Sequence, residues 1–438
     1  MRRMGHLGLS SMGLMLAIGL LCSLRASVRG TGAERAVSGS VTGTGSLMDY
    51  VVVQVMLADV DDVVLSIAAG DLDQDGDIDL VSDGLFAWIN PTTSTFSAPW
   101  VSATLAAGFH AQDIALGDLD RDGDLDIVAG GDFGLAIWQN PLTQSVSTPF
   151  GNGTPFGTWP ISHVLTTSQP IQAVAAVDLD GDGWLDIAAA RDDPVPPVSG
   201  DLCIWQNPGS ITGTWASVVL TRTPGILTVA AGDLNGDGWS DLATGAAGMV
   251  AESQEIRIWQ NDHTPFTDTW ASAQVIDVSQ DGQSSNVNSI ALIDLDDDGW
   301  LDIVAGYQTG MAGTVGVWRN LGMPFTMPWA LSVTMTGGAR IWRVAAGDLD
   351  NDGSVDVISA AAFSSTGNEV TWWRNDGSPF DGAWSSTWKV GPWHNDLLLA
   401  DLDGNDGPET VVTRMGSPEI VAYLALWEHI YLPVTTKD

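Results

Sequence analysis

One acidic segment, Asp71-Leu-Asp-Gln-Asp-Gly-Asp-Ile-Asp79, recurs along the chain with the same spacing of carboxylates. Related segments begin at Asp118, Asp178, Asp233, Asp294, Asp348 and Asp401, which gives a mean spacing of about 55 residues. Carboxylates at positions 1, 3 and 5 of a loop, with a glycine at position 6, are the arrangement by which many proteins bind calcium through oxygen atoms. The segment therefore predicts a cation-binding loop, and the fixed period predicts a repeat architecture.

The residues on either side of these acidic loops indicate strands. In an EF-hand, a helix flanks the loop on each side and the last carboxylate stands at position 12. Here the last carboxylate stands at position 9, and short apolar runs such as Ile67–Gly70 and Asp126–Gly130 enter and leave the loops. Short runs of β-branched residues bounded by glycine are typical of strands. The loops are therefore predicted to join strands.

The net charge supports metal binding and argues against a nucleic-acid partner. The chain carries 54 acidic and 16 basic residues, a formal net charge of −38. More than half of the acidic residues lie in the seven acidic segments, whereas a merely solubilising surface would scatter them. Binding of nucleic acid requires a basic footprint, and the chain lacks one.

Each repeat contains four short apolar segments. The first and second flank the acidic loop, and a further tryptophan leads the fourth. The third ends in a Trp-x-Asn signature, whose tryptophans are Trp88, Trp138, Trp205, Trp259, Trp318 and Trp373. Four strands repeated seven times predict an all-β chain folded as a seven-bladed β-propeller of four-stranded blades.

The ends of the repeat region predict how the ring closes. The seventh repeat stops after its third strand, near Trp427, and a spare strand, Val51–Leu57, precedes the first repeat. We expect this N-terminal strand to complete the last blade, because pairing the two removes two open sheet edges.

The N-terminus has the pattern of a secretory signal. Arg2 and Arg3 are followed by an apolar run from about residue 7 to 21, which is too short to span a membrane. We predict a signal peptide over residues 1–26, a flexible leader rich in Gly, Ser and Thr over 27–48, the propeller over 49–432 and a tail over 433–438. The mature protein is expected to be secreted or extracellular, to lack a transmembrane segment and to be monomeric.

The Asp-x-Asp-x-Asp-Gly-x-x-Asp loop after an Ala-Ala-Gly run, recurring at this period, resembles the FG-GAP or VCBS-type repeat. That repeat builds the propellers of integrin α-subunits and of many secreted bacterial proteins. The resemblance implies that calcium binds in the loops, with up to seven ions. The side-chain ligands that it implies are Asp71, Asp73, Asp75 and Asp79; Asp118, Asp120, Asp122 and Asp126; Asp178, Asp180, Asp182 and Asp186; Asp233, Asn235, Asp237 and Asp241; Asp294, Asp296, Asp298 and Asp302; Asp348, Asp350, Asp352 and Asp356; and Asp401, Asp403, Asn405 and Glu409.

Two loops depart from the pattern. The seventh has Asn405 at position 5, Asp406 in place of the glycine and Glu409 as its last carboxylate, so it is the site for which calcium is least expected. The fourth has Asn235 at position 3 and therefore one negative charge fewer, which predicts weaker binding.

The resemblance also implies that a ligand meets the face opposite the calcium loops, near the axis. The residues just before the first strands, which are expected there, give the ligand-binding candidates Gln112, Trp342, Arg343, Trp393, His394 and Asn395. The leading hypothesis is a secreted calcium-binding module that binds or adheres to a carbohydrate or protein, with calcium rigidifying the loops.

The alternative is a secreted enzyme of the lyase or glycosidase type that acts on polysaccharide from the same face. Its candidate acid or base is His110 or His394, with Asp113 or Asp396 as partner. A third hypothesis is a purely structural scaffold. Propellers serve adhesion, sugar binding and catalysis alike, so the sequence does not separate the three.

Overall fold

The computed structural model describes residues 38–39, 51–59, 64–90, 100–106, 108–141, 159, 161–166, 169–191, 201–221, 225–247, 255–267, 270, 274–278, 285–309, 312–336, 340–362, 370–381, 384–390, 394–404, 407–414 and 419–426. The signal peptide predicted for residues 1–26 and the tail predicted for 433–438 lie outside these residues. Of the predicted leader, only Ser38–Gly39 lies within them. In the part of the chain described, no helix is long and apolar enough to cross a membrane.

All regular structure in these ranges is β-strand. The strands are β1 (Ser38–Gly39), β2 (Val51–Asp59), β3 (Ile67–Gly70), β4 (Asp79–Ser82), β5 (Phe86–Ile89), β6 (Val101–Thr104), β7 (Ala111–Gly117), β8 (Asp126–Gly131), β9 (Gly134–Trp138), β10 (Ile161–Thr166), β11 (Ile171–Val177), β12 (Asp186–Arg191), β13 (Asp201–Gln206), β14 (Ala216–Thr221), β15 (Ile226–Gly232), β16 (Asp241–Ala246), β17 (Glu255–Trp259), β18 (Gln274–Asp277), β19 (Ser285–Ile293), β20 (Asp302–Thr309), β21 (Ala312–Trp318), β22 (Leu331–Thr336), β23 (Arg340–Gly347), β24 (Asp356–Ala362), β25 (Val370–Arg374), β26 (Ser385–Val390), β27 (His394–Ala400), β28 (Glu409–Arg414) and β29 (Glu419–Leu426).

These strands form seven antiparallel sheets, which are the blades. Blades 1 to 6 each contain four strands in chain order, beginning at β3, β7, β11, β15, β19 and β23. Blade 7 contains β27, β28 and β29, followed by β2 and β1. The innermost strand of every blade contacts that of the next, and β27 contacts β3. The predicted seven-bladed propeller is confirmed.

The N-terminal strand closes the ring as predicted. β2 pairs antiparallel with β29, with Val53 opposite Leu424. Blade 7 thereby gains its fourth strand from the other end of the chain, and β1 adds a short fifth through the pair Ser38 and Gln54. Closure from both ends joins the termini of the repeat region in one sheet and covers the edges of β2 and β29.

The hydrophobic core lies between the blades. One buried cluster joins Val128 and Ile137 of blade 2 to Ile187 and Cys203 of blade 3, and similar clusters lie between the other neighbours. A middle strand such as β8 is buried along its whole length because it is covered on both faces, and for this reason it is apolar throughout rather than alternating.

Small residues near the axis allow the blades to approach closely. A Cβ added to Gly117 would lie 2.6 Å from Leu185 Cδ1 of the next blade, and one added to Gly232 would lie 2.7 Å from Leu301 Cδ1. These glycines end the first strands of their blades, where a leucine of the following blade packs against the backbone. A Cβ at either glycine would force that leucine to move, so glycine favours the close approach seen here.

Candidate metal centres and the face opposite them

Each acidic loop curls around its first aspartate. In loop 1, Asp71 Oδ1 accepts a hydrogen bond from Asp75 N at 3.2 Å, and Asp71 Oδ2 accepts one from Gly76 N at 3.0 Å. The bend requires left-handed backbone at positions 4 and 6, with φ of 59° at Gln74 and 95° at Gly76. The same bond from the glycine at position 6 recurs in loops 2 to 6. The curl brings the carboxylates of positions 1 and 3 close to each other.

The carboxylate at position 9 anchors the loop to the blade. Asp79 is fully buried, and its Oδ2 accepts a hydrogen bond from Leu72 N at 2.9 Å, while Oδ1 accepts one from Asn90 N at 2.8 Å. Loops 2 to 6 repeat both bonds. In loop 7, Glu409 Oε2 accepts the corresponding bond from Leu402 N at 2.8 Å. In all seven loops, position 9 thus accepts a hydrogen bond from the backbone amide of position 2.

Burial at position 9 disfavours the ionised carboxylate. It raises the pKa of Asp79 and of Glu409 to about 8, and the pKa of Asp186 to about 7. The amide donors lower these pKa values, and the neighbouring aspartates of each loop raise them further. Several carboxylates held together out of water are stabilised in the charged form by a cation.

The donor atoms fit a hard cation. In five loops, three carboxylates offer ligand atoms that all lie within 4.8 Å of one another. These clusters are Asp71, Asp73 and Asp79; Asp118, Asp120 and Asp122; Asp178, Asp180 and Asp186; Asp294, Asp296 and Asp302; and Asp348, Asp350 and Asp356. All donors are carboxylate oxygens, the ligands preferred by calcium, magnesium and manganese. The acidic loops are therefore candidate metal centres.

Loops 4 and 7 keep their individual features in the structure. In loop 4, the amide of Asn235 donates to Asp237 Oδ2 at 2.9 Å, and His263 Nε2 lies 3.1 Å from the same oxygen. In loop 7, Asn405 lies outside the described residues, so four-ligand geometry is described only for loops 1 to 6.

The asparagine of the Trp-x-Asn signature links the loops of adjacent blades, a role that the sequence interpretation missed. Asn207 Nδ2 donates to Leu185 O of its own loop at 3.0 Å and to Leu119 O of the preceding loop at 2.8 Å. Asn90, Asn140, Asn261 and Asn320 make the same pair of bonds. The sequence feature that could have indicated this role is the polar residue that follows the third strand of each repeat at a fixed spacing. The order of each loop is thus coupled to the packing of two blades.

Loops of adjacent blades also touch, through position 4 of one loop and position 6 or 7 of the next. The guanidinium of Arg121, at position 4 of loop 2, lies 4.8 Å from the ring centroid of Trp184, at position 7 of loop 3. Gln74 Nε2 of loop 1 donates to Gly123 O of loop 2 at 2.7 Å. Tryptophans inside the loops therefore pack between blades.

On the opposite face, Gln112, Trp342 and Asn395 occupy equivalent positions at the start of the innermost strands of blades 2, 6 and 7. All three are partly exposed. In each of these strands the register shifts at this position, so the side chain stands outside the regular ladder. Asn395 Nδ2 also donates to Val64 O at 2.8 Å and so ties blade 7 to blade 1.

Of the remaining ligand-binding candidates, one is placed in the core and another lies outside the described residues. His394 is fully buried, and its Nδ1 lies 3.2 Å from Thr413 O. It occupies the position that Ile341 and Ala111 hold in blades 6 and 2, so its side chain belongs to the core and does not face a ligand. Trp393 lies outside the described residues.

Arg343 makes an ion-pair cluster at the centre of the ring. Its Nε lies 2.7 Å from Asp396 Oδ1 of blade 7, and its Nη2 lies 3.3 Å from Asp113 Oδ1 of blade 2. Blades 6 and 2 are three apart, the greatest separation in a ring of seven, so the side chain reaches across the axis. The second oxygens of the carboxylates accept hydrogen bonds from Ile67 N and Val174 N, each at 2.9 Å. The cluster thereby connects five blades.

The environment of this cluster raises the pKa values of both Asp113 and Arg343, for different reasons. Burial raises the pKa of Asp113 to about 6, although Arg343 and the Val174 amide lower it. Asp396 and Asp113 raise the pKa of the Arg343 guanidinium. Asp113 and Asp396, expected as partners of a catalytic histidine, are both paired with Arg343, while His110 is exposed.

Beside this cluster lies a second arginine with a different environment. The Arg340 guanidinium lies 4.4 Å from the ring centroid of Trp342, and its Nη2 donates to Asn288 Oδ1 at 3.3 Å. No carboxylate pairs with it in the described part of the chain. Burial lowers the pKa of Arg340. Arg340 Nε and Trp342 Nε1 are buried and have no hydrogen-bond partner among the described groups.

Comparison with known proteins gives the same architecture. A family model described as an FG-GAP-like repeat matches residues 71–129, 178–244 and 294–359. The crystal structure of BBS1N in complex with ARL6DN, soaked with lead, aligns with a TM-score of 0.51 at 12% identity, over 85% of this chain and 95% of that one. A structure titled as an Agrocybe aegerita lectin that recognises non-reducing terminal N-acetylglucosamine aligns with a TM-score of 0.42 at 19% identity, over 73% of this chain and 79% of that one. No curated protein sequence matches. At 12% identity, the first alignment supports the propeller fold alone.

Proposed function

This chain is a β-propeller of FG-GAP-like repeats, and from that premise we propose that it is a secreted, calcium-stabilised binding module for a carbohydrate or protein ligand. The single observation that carries the proposal is the recurrence of one loop geometry on one face, with converging carboxylates and a buried carboxylate at position 9. A surface selected only for solubility has no reason to repeat such a geometry.

Calcium is the cation that suits these loops best. It accepts six to eight oxygen ligands in flexible geometry, whereas magnesium requires a near-ideal octahedron and retains water. Loops 1, 2, 3, 5 and 6 supply carboxylates at positions 1, 3, 5 and 9, and loops 4 and 7 replace one of these by an asparagine. A backbone carbonyl is available at position 7 of each loop. When bound, calcium neutralises the mutual repulsion of these carboxylates. The asparagines of the Trp-x-Asn signature, such as Asn207 between loops 2 and 3, then couple the order of one loop to that of its neighbour through their hydrogen bonds.

Calcium that binds only the folded state stabilises it by mass action. At a free concentration of 100 times Kd, one site contributes about 2.7 kcal/mol. Several such sites together contribute more to the free energy of unfolding than any single residue does. Thermal unfolding in calcium and in chelator tests this part of the proposal, and an unchanged melting temperature contradicts it.

The ligand-binding part rests on the face opposite the loops. Trp342, Arg340 and Gln112 place an aromatic ring, a guanidinium and an amide near the axis, and two buried donors there have no partner in the described part of the chain. Buried donors in native proteins are normally paired, so the unpaired Arg340 Nε and Trp342 Nε1 on this face point to a polar ligand or water. Aromatic and amide side chains are the groups with which proteins commonly bind sugars and peptides.

A glycan array probed with the calcium-loaded protein tests this face directly. We expect at least one glycan signal, and we expect Trp342→Ala to remove it. Trp239→Ala, on the loop face, is the control and should retain it. If the signal is unchanged by Trp342→Ala, the ligand does not use this face.

Secretion is supported by the Arg2-Arg3 pattern and the apolar run that follows. The proposal expects that expressing cells release the protein into the medium after cleavage between about Ser23 and Ala36. An intact N-terminus on protein retained inside the cells contradicts it.

A further inference from the structure

The middle residue of the Trp-x-Asn signature contacts the same loop oxygen in four blades. Gln206 Nε2 donates to Asp180 Oδ2 at 2.7 Å, and Arg374 Nε lies 2.6 Å from Asp350 Oδ2. Gln139 contacts Asp120 Oδ2, and Arg319 contacts Asp296 Oδ2, in the same way. The contacted residue is always the aspartate at position 3. A side chain from the third strand therefore orients one of the carboxylates that the loop offers to a cation.

The two side-chain types differ in charge and in reach. Glutamine supplies a neutral donor to position 3. Arginine adds a positive charge and also contacts position 5, because Arg374 Nη2 lies 3.0 Å from Asp352 Oδ2. Arg319 Nη2 likewise lies 3.1 Å from Asp298 Oδ2. In loops 5 and 6, two of the expected cation ligands are thus already paired with a guanidinium.

This pairing reduces the electrostatic attraction between a cation and the carboxylates of loops 5 and 6. A carboxylate that already neutralises a guanidinium attracts a further cation less strongly, and the guanidinium itself repels the cation. The same guanidinium reduces the repulsion among the carboxylates when no metal is bound. The side chains of Arg319 and Arg374 are 40% and 39% exposed, so solvent screens the effect but does not abolish it.

We propose that the middle residue of Trp-x-Asn is a positioning residue that sets the cation affinity of its loop and separates loops 2, 3, 5 and 6 into two classes of site. Loops 2 and 3, with glutamine, form the tight class. Loops 5 and 6, with arginine, form a weaker class that stays ordered at low calcium. The inference rests on the proposed binding of calcium and adds to it which loops fill first.

Exchange of the two residue types provides a matched test, because the chain itself uses each of them at this position. The variants are Arg374→Gln and Gln206→Arg, and calcium binding to the chelator-treated protein is measured by titration calorimetry. The wild type should show two classes of site. Arg374→Gln should bind calcium about 10-fold more tightly at one site and move that site into the tight class. Gln206→Arg should move one site in the opposite direction.

Two further variants keep the test decisive. Arg374→Lys retains the charge and should leave loop 6 in the weak class, which separates charge from shape. Arg319→Gln repeats the experiment in loop 5 if Arg374→Gln does not fold. A purely structural role predicts that every variant lowers the melting temperature and that none raises affinity.

The outcomes separate this inference from the proposed function. A wild-type protein that binds no calcium contradicts the proposed function itself. A protein that binds calcium with the same affinities in all four variants as in the wild type retains the proposed function and overturns the two classes. Opposite shifts for Arg374→Gln and Gln206→Arg support the inference.

Discussion

Replacement of Arg343 by methionine tests the ion-pair cluster at the centre of the ring. Methionine keeps much of the side-chain volume but removes the guanidinium that lies 2.7 Å from Asp396 and 3.3 Å from Asp113. Two carboxylates, with side chains 6% and 19% exposed, then face each other without a counter-charge. Loss of one partner from a buried ion pair typically costs about 3 to 5 kcal/mol.

We expect a value near the lower end, about 3 kcal/mol, at pH 7.5. Both carboxylates keep a backbone donor, Ile67 N or Val174 N, and these bonds limit the loss. Since Arg343 lowers the pKa of Asp113, its removal raises that pKa further. Uptake of a proton by Asp113 then relieves the repulsion, so the loss should be smaller at pH 5.

Urea unfolding in excess calcium, followed by tryptophan fluorescence, gives the change in free energy. Arg340→Met is the matched control, because Arg340 lies on the same strand and has no carboxylate partner in the described part of the chain. Its loss should cost about 1 kcal/mol or less. If Arg343→Met is no more destabilising than Arg340→Met, the cluster does not stabilise the ring. Asp113→Asn added to Arg343→Met should recover part of the loss.

Three further perturbations address other parts of the fold. Asn320→Ala removes two hydrogen bonds to the carbonyl groups of adjacent loops. Urea unfolding should show a loss of about 2 kcal/mol in the free energy of unfolding. A loss below about 0.5 kcal/mol would mean that this asparagine does not link the two loops. Gly232→Ala places a Cβ 2.7 Å from Leu301 Cδ1 and should lower the melting temperature, whereas an unchanged value means that the leucine moves aside. The pKa of Asp113 is about 6 in the folded protein and 3.8 in the unfolded chain, so the folded state binds a proton more tightly. This contribution to the free energy of unfolding is present at low pH and is lost as the pH rises from about 4 to 6. The difference in unfolding free energy between wild type and Asp113→Asn should therefore shift by about 2.5 kcal/mol between pH 4 and 7.5, and a constant difference contradicts this assignment.

The architecture was predictable because it repeats. Seven copies of the acidic loop, each flanked by apolar runs, defined the blades, and the missing strand after the seventh copy predicted that β2 would close the ring. Position within a repeat also decides burial. His394 was expected to face a ligand because of its residue type, but its place in the repeat matches that of Ile341, which is buried in the neighbouring blade. Alignment of the repeats residue by residue would have placed it in the core.

Contacts across the ring were not predictable in this way. Arg343 and Asp113 are 230 residues apart, and they meet only because the ring brings blades 6 and 2 to a common axis. The role of the Trp-x-Asn asparagine depends on the distance between two neighbouring loops, which blade packing determines. The repeat period indicates which residues are equivalent, whereas the geometry of closure determines which of them touch.

The most direct test of the central claim is thermal unfolding of the mature protein in excess calcium and then in excess chelator. The claim predicts a fall of roughly 10 °C or more on chelation, since several sites each contribute about 2.7 kcal/mol at saturation, and recovery when calcium is restored. The same melting temperature in both conditions would mean that the propeller is held together without metal, and would contradict the assignment of the acidic loops as calcium sites.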